Sequence, residues 1–120
     1  MPELEDEGPP ADRLQLRVEN DDREPCVWVV GEIDVFTAPS LAARIDEVVT
    51  DSTTSLALDL DEVSFIDSTG LRVLIEADRR MRDRGGALVL RRPSRAVSRL
   101  LELTALGEWL TVDPATVPET

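Results

Sequence analysis

Short apolar runs alternate with segments of helical periodicity along most of this 120-residue chain. The first two runs, residues 14–18 and 27–30, flank a turn-forming sequence at residues 20–22, and together they predict a hairpin. Helices with one apolar face then alternate with three further runs, at residues 56–60, 87–90 and 109–112. The predicted order is β-β-α-β-α-β-α-β, which requires an α/β fold whose later strands are parallel and joined by right-handed crossovers. We expect a mixed four- to five-stranded sheet with the helices packed mainly on one face.

The length is that of one domain, and we expect this domain to span residues 13–113. The hydrophobic share of 42% is sufficient for one core, which aliphatic residues must fill because aromatic residues make up only 3%. Residues 1–12 combine acidic charge with proline and glycine, which predicts a disordered acidic arm. Residues 114–120 contain proline without periodicity, which predicts a flexible tail.

A few positions carry more specific structural predictions. Thr37 is a candidate N-cap of the first helix, and the pair Gly85-Gly86 should end the second. Leu103 is expected on the inner face of the third helix. Trp28 is expected in the core, whereas Trp109 could lie in the core or under the last strand.

The formal net charge of -12 narrows the range of partners. A negative field repels nucleic acid and anionic lipid and favours basic partners. No apolar run reaches the roughly 20 residues that span a bilayer, and no signal peptide is visible. Cys26 is the only cysteine, which excludes an internal disulfide. We therefore expect a cytoplasmic protein with no nucleic-acid binding and no membrane insertion.

The absence of histidine, lysine and tyrosine excludes most enzyme chemistry. Neither a Ser-His nor a Ser-Lys pair can form, and both a Schiff base and a P-loop lack their lysine. One cysteine without histidine cannot build a zinc site of the usual type. Only carboxylates and arginines remain for catalysis, so we expect no enzyme, no cofactor and no metal.

The sequence Asp67-Ser68-Thr69-Gly70-Leu71 lies between the predicted third strand and the second helix. A hydroxyl at a helix start, on the rim of a sheet, can be a cap, a nucleophile or a phosphorylation site. As a cap, Ser68 or Thr69 would accept a hydrogen bond from a first-turn amide, worth about 1 kcal/mol, and Asp67 could share that role.

As a phosphorylation site, Ser68 would gain roughly -1.5 to -2 charge at pH 7. The helix dipole favours an anion there and Asp67 opposes it, by effects of similar size, so the fold should survive the modification. A partner surface would respond more strongly, because burying an uncompensated dianion could cost several kcal/mol. A switch that keeps the fold and ejects the partner is physically reasonable at this position.

Other motifs surround this turn in a definite order. Gly31-Glu32-Ile33-Asp34 follows the second strand, Leu58-Asp59-Leu60 lies in the third, and Phe65-Ile66 directly precedes the serine turn. Arg92-Pro93-Ser94 and Leu101-Glu102-Leu103-Thr104 follow downstream. In this order and spacing the chain resembles the STAS family and, within it, the bacterial anti-sigma factor antagonists.

The resemblance implies a single STAS-like domain that binds a cognate anti-sigma factor, itself a serine kinase of the histidine-kinase-like ATPase type. Binding would free a sigma factor for transcription, as a step in stress-response signal transduction. The kinase would phosphorylate Ser68, or less readily Thr69, and a phosphoserine phosphatase would reverse the modification. A small monomer or a homodimer is expected. The expected docking residues are Glu32, Asp34, Asp67, Ser68, Thr69, Gly70, Leu71 and Arg72.

Two positions depart from the family pattern. Thr69 stands where serine is common, and it offers a second hydroxyl. Ala105-Leu106-Gly107 ends the third helix where a glycine often stands one or two places earlier, which would alter the helix cap and not the mechanism.

Several alternatives stay open at this point. Asp59, Asp61, Glu62 and Asp67 could hold Mg²⁺ or Ca²⁺, although their spacing fits no EF-hand and solvated turn carboxylates are favoured. Arginines at positions 79, 80, 82, 84, 91, 92 and 95 could touch nucleic acid, but interleaved acidic residues favour a solvated face with local ion pairs. The chain could also be a scaffold subunit or the soluble partner of a membrane transport system, with Ser68 mainly a cap.

Overall fold

The computed structural model describes residues 13–113, so the predicted arm at residues 1–12 and the predicted tail at residues 114–120 lie outside the described residues. The elements are β1 (Leu14–Glu19), β2 (Cys26–Ile33), α1 (Ala38–Val48), β3 (Leu56–Ile66), α2 (Ser68–Asp83), β4 (Leu88–Arg91), α3 (Arg95–Thr104), a 3₁₀ turn (Leu106–Glu108) and β5 (Thr111–Val112). Their order is the predicted one. None of the helices in the described range is long and apolar enough to cross a bilayer.

The sheet is mixed, with five strands in the order β1-β2-β3-β4-β5. β1 pairs with β2 antiparallel, and every later pair is parallel, which confirms the predicted hairpin and sheet. β2 and β3 end together, since Ile33 at the end of β2 is the register partner of Ile66 at the end of β3. β1 begins at this same edge, where Leu14 pairs with Gly31. We call this the carboxyl edge of the sheet.

One face of the sheet carries the core. Val27, Leu58 and Leu90 are register partners across three strands, and each is fully buried. The helices add their own apolar stripes to the same core, represented by Leu41 and Leu74. The helices therefore pack mainly on this face, as predicted.

Trp28 belongs to the opposite face of the sheet. Successive side chains of a strand point to opposite faces, so the fully buried Val27 and Val29 send Trp28 away from the helices. It lies half-buried, in register with Asp59. The prediction that Trp28 lies in the core is wrong, because side chains alternate along the strand and Trp28 falls on the face opposite the helices.

β3 is longer than its sequence indicated. It extends to Ile66, whereas periodicity predicted an end at residue 60 followed by a connector. The pairing of β3 with β2 shifts register after Trp28 and again after Gly31. These irregularities interrupt the apolar alternation, so the second half of the strand does not show the pattern of a regular strand.

The C-terminal part differs from expectation at two large side chains. Leu103 is 75% exposed and Trp109 is 71% exposed, so the predicted burial of both is wrong. Leu103 lies two residues beyond the buried Leu101, which is roughly 200° around the helix. The chain then turns at Ala105, and Leu110 is buried in place of Trp109. β5 consequently begins only at Thr111.

Candidate functional site

Asp67 is the N-cap of α2. Its Oδ1 accepts hydrogen bonds from the amides of Thr69 at 2.9 Å and Gly70 at 3.3 Å. Its carbonyl oxygen accepts a third from the amide of Leu71 at 3.0 Å. The side chain of Asp67 thus satisfies two of the four amides that a helix start leaves without a partner, and its carbonyl accepts the first bond of the helix itself. The interpretation of Ser68 or Thr69 as the cap is therefore wrong.

Ser68 is the first residue of α2, and its side chain is exposed. Within residues 13–113, no group forms a hydrogen bond with its hydroxyl. Thr69 is partly buried beside it, and Arg72 is exposed one turn further along the helix. The Ser68 hydroxyl consequently faces solvent at the carboxyl edge, with no structural task of its own.

Gly70 and Leu71 determine how closely the start of α2 approaches the sheet. Leu71 is buried in the core. A Cβ on Gly70 would lie 2.5 Å from Cγ2 of Ile33 and 3.0 Å from Cγ1 of Ile66, distances too short for any side chain. Both predicted docking residues are thus buried, and they bring Ser68 down onto the ends of β2 and β3.

The loop from β2 to α1 lies next to this helix start. Thr37 is fully buried, and its hydroxyl accepts a hydrogen bond from the amide of Asp34 at 2.9 Å and donates one to the carbonyl of Glu32 at 2.7 Å. Thr37 occupies the predicted N-cap position of α1, but its side chain makes no cap hydrogen bond to the helix. It stabilises the loop instead, because its hydroxyl bonds the backbone of the residue before Ile33 and of the residue after it.

Asp34 is the charged centre of the same loop. Its Oδ1 accepts hydrogen bonds from the amides of Phe36 at 2.9 Å and Thr37 at 3.0 Å, and its Oδ2 accepts one from the Arg13 guanidinium at 2.7 Å. Desolvation disfavours the charge of Asp34, but the Arg13 guanidinium and the two amides outweigh it and hold the pKa of Asp34 below its ordinary value.

Arg13 joins the start of β1 to this loop. Its guanidinium also donates to Glu32 at 2.9 Å and lies 5.8 Å from the centre of the Phe36 ring. Gly31 makes the approach of β1 feasible, since its φ of +118° suits glycine and a Cβ there would collide with the carbonyl oxygen of Arg13. The sequence analysis did not identify Arg13 as part of the site.

The loop and the serine turn form one continuous surface. The amide of Asp67 donates to the carbonyl of Ile33 at 3.2 Å, so the chain just before Ser68 is bonded to the chain just before Asp34. The predicted docking residues Glu32, Asp34, Asp67 and Ser68 therefore share one edge.

Sequence reasoning missed three apolar residues on this surface. Val35, Phe36 and Phe65 are 58%, 66% and 48% exposed. The signal that could have found the first two is their position, in the short segment between a predicted strand end and the predicted cap Thr37. Large apolar side chains are unusual in such a loop unless something covers them.

The other acidic residues do not converge with Asp67. Asp59 is buried on the sheet, where Arg92 donates to its two oxygens at 3.0 and 3.2 Å. Asp61 lies 3.7 Å from the same guanidinium. Across residues 13–113, no three carboxylate or thiol side chains gather in a way that could hold a metal ion.

Several of the clustered arginines have local partners, in agreement with the prediction of local ion pairs. Arg80 pairs with Asp46 of α1 at 2.6 Å, and Arg82 pairs with the buried Asp78 at 2.6 Å. Arg84 donates to backbone carbonyls of the turn before β3. Arg80 thus links α2 to α1, Arg82 pairs within α2, and Arg84 fastens the end of α2 to this turn.

Known proteins are similar to this chain over most of its length. The sequence model of the STAS domain family matches residues 15–117. The anti-sigma-B factor antagonist of Listeria monocytogenes is 37% identical over 86 residues, which cover 72% of this chain and 75% of that protein.

Solved structures share the fold of this chain. An anti-sigma factor antagonist from Mycobacterium paratuberculosis has 36% identity and a TM-score of 0.73, over 86% of this chain and 87% of that one. The antagonist SpoIIAA in its unphosphorylated form superimposes with a TM-score of 0.71 at 21% identity, over 82% of this chain and 88% of the other. Its phosphorylated form, from Bacillus, gives 0.65 at 20% identity over 82% and 91%.

Proposed function

The chain belongs to the STAS domain family, and we propose that it is an anti-sigma factor antagonist switched by phosphorylation of Ser68. In the unmodified state the carboxyl edge docks on an anti-sigma factor that is also a serine kinase, and docking frees the sigma factor. Phosphorylation of Ser68 by that kinase ends the interaction, and a phosphoserine phosphatase restores it. The cell compartment is the cytoplasm, and the protein itself has no enzymatic role.

The names of the relatives support the first half of this proposal. Both the Listeria protein and the Mycobacterium structure are described as antagonists of anti-sigma factors. SpoIIAA, which shares the fold, is known in an unphosphorylated and a phosphorylated form.

One observation supports the switch: Asp67 caps α2, and the hydroxyl of Ser68 next to it does not take part in capping. The side chain of Asp67 already accepts from the amides of Thr69 and Gly70, so a phosphate on Ser68 would compete for them and lies beside a carboxylate. The added charge therefore stays on the surface, as a hydrated dianion at the start of α2. A partner that covers the carboxyl edge must desolvate that dianion, which costs several kcal/mol and lowers affinity on the order of 100-fold or more.

The test measures both modification and binding with the anti-sigma kinase from the same genome. The kinase and ATP should modify Ser68, as mapped by mass spectrometry; modification solely at Thr69, Ser94 or residues 114–120 would contradict the assignment.

In titration calorimetry we expect Ser68→Ala to bind the kinase like the unmodified protein, and Ser68→Asp to bind at least about tenfold more weakly. Ser52→Asp is the matched control, because it adds the same charge at an exposed turn before β3, at the opposite end of the strand. Equal affinities for Ser68→Ala and Ser68→Asp would remove the charge argument and favour a scaffold module.

A further inference from the structure

Exposed apolar side chains concentrate at the carboxyl edge. Within residues 13–113, five large apolar side chains are exposed, and Val35, Phe36 and Phe65 are three of them. The other two, Leu103 and Trp109, lie on α3 and just after the 3₁₀ turn. We call Val35, Phe36 and Phe65 the apolar patch.

The apolar patch and Ser68 belong to one surface. Phe65 is the register partner of Glu32, and Val35 and Phe36 follow that strand end directly. Ser68 follows Phe65 by three positions, and the intervening Asp67 is hydrogen-bonded to Ile33. A protein that covers Ser68 is therefore in a position to contact part of the apolar patch as well.

The charges next to the apolar patch are partly neutralised within the chain, since one guanidinium pairs with two carboxylates. Arg13 pairs with Asp34 at 2.7 Å and with Glu32 at 2.9 Å, and it lies over one side of the Phe36 ring. Removing paired charges from water costs less than removing isolated ones. A partner can therefore cover this region without supplying a cation for each carboxylate.

The loop that carries Phe36 is held in place before any partner arrives. Asp34 and the buried Thr37 close it with four hydrogen bonds between 2.7 and 3.0 Å. A loop that is already ordered loses little conformational entropy on binding. Rigid, exposed aromatic side chains are the typical anchors of protein interfaces.

We propose that the apolar patch supplies the main affinity for the anti-sigma kinase by inserting into an apolar pocket of that partner, while Ser68 supplies only the switch. This inference rests on the proposed function and identifies its partner as a protein with an aromatic-sized apolar pocket facing Ser68. It also explains why one phosphate would be so effective: the dianion would enter a dry, apolar contact with no compensating charge.

The test compares alanine variants by titration calorimetry against the purified kinase that phosphorylates Ser68. Phe36→Ala and Phe65→Ala should each weaken binding at least about tenfold, and the heat capacity change of binding should become less negative because less apolar surface is buried. The controls are Leu103→Ala and Trp109→Ala, which remove apolar side chains that are at least as exposed elsewhere on the surface. Their affinities should stay within about threefold of the unmodified protein, on the scale where tenfold is 1.4 kcal/mol.

Folding is checked separately for every variant by its circular dichroism spectrum and thermal midpoint, which should not change because the removed side chains are exposed. Unchanged affinity in Phe36→Ala and Phe65→Ala, or an equal loss in Leu103→Ala, overturns the inference while leaving the switch at Ser68 intact. A kinase that neither binds nor modifies the unmodified protein overturns the proposed function and this inference together.

Finding either of two other occupants on the apolar patch would also overturn the inference that the kinase covers it. If a second copy covers the patch, light scattering shows a dimer that Phe36→Ala converts to a monomer. If residues 1–12 cover it, deleting them strengthens kinase binding, and Phe36→Ala no longer weakens binding in the full chain.

Discussion

At the scale of single residues, the neighbours Asp67 and Ser68 have different roles: the first caps α2, and the second offers an exposed hydroxyl. Asp67 bonds two first-turn amides through its side chain, whereas the hydroxyl of Ser68 forms no hydrogen bond in the described part of the chain. A phosphorylatable hydroxyl needs this freedom, because a serine that caps a helix would lose its cap on modification. The neighbouring carboxylate therefore keeps the switch residue separate from the stability of the helix.

This separation has a measurable consequence. Asp67→Ala should lower the free energy of unfolding by about 1 kcal/mol, and by up to about 2, because two amides lose their acceptor. Ser68→Ala is the matched control and should change it by less than about 0.5 kcal/mol. Urea unfolding followed by circular dichroism measures both. A Ser68→Ala loss as large as that of Asp67→Ala would show that the serine is the cap.

At the scale of elements, the end of α3 carries backbone strain. Ala105, its C-cap, has a φ of 60°, in the left-handed region where alanine is disfavoured and glycine is not. In the family pattern a glycine often stands one or two places before Gly107, and here the helix turns at an alanine instead.

Replacing this alanine should stabilise the protein. Ala105→Gly should raise the free energy of unfolding by about 0.5–1 kcal/mol, since relief of the left-handed strain exceeds the added freedom of the unfolded chain. Ala43→Gly, in the ordinary helical backbone of α1, should instead lower it by about 1 kcal/mol. Chemical denaturation gives both values, and destabilisation by Ala105→Gly would contradict the argument.

The loop between β2 and α1 should respond to acid. The pKa of Asp34 is lowered in the folded protein below its ordinary value of 3.8, so the folded state favours the charged form. The stability that this preference contributes is complete well above about pH 4 and is lost as the pH falls through the lowered pKa.

The measurement compares unfolding free energies at pH 7 and at about pH 3. Asp34→Asn should be less stable than the unmodified protein at pH 7, and the gap should narrow at the lower pH. Asp46→Asn breaks an exposed ion pair with Arg80, and such pairs contribute little, so it should track the unmodified protein throughout. A gap for Asp34→Asn that does not depend on pH would contradict the role given to its charge.

At the scale of the whole molecule, the topology gathers distant segments at one edge. β1 begins there, β2 and β3 end there, and α2 starts there. Phosphorylation adds charge at the rim of this edge, outside the core that the helices and the sheet share. The fold should therefore tolerate a change that a docked partner cannot.

This contrast can be tested on the phosphorylated protein. We expect its free energy of unfolding to stay within about 1 kcal/mol of the unmodified value, because the helix dipole and the Asp67 carboxylate act in opposite directions with similar size. Its circular dichroism spectrum should be unchanged while kinase affinity falls. A loss of several kcal/mol in stability would mean that the switch acts by unfolding the start of α2.

Much of the fold was accessible from sequence because the deciding patterns are local. Apolar periodicity predicted the order of strands and helices, the hairpin at β1 and β2, and the end of α2 at Gly85. It failed where pairing between distant strands decides the outcome. Register shifts extend β3 to Ile66, and strand parity moves Trp28 off the core face.

The sequence by itself determined that a hydroxyl would stand at the start of α2, since Asp67-Ser68-Thr69 directly precedes a helical pattern. Only the tertiary structure decided that Asp67 takes the cap and leaves Ser68 free, and that Arg13, Phe36 and Phe65 share its edge. Residues far apart in the chain meet there through the antiparallel pairing of β1 and the parallel pairing of β2 with β3. Local periodicity carries no information about such contacts, because they depend on which strands become neighbours and in what register.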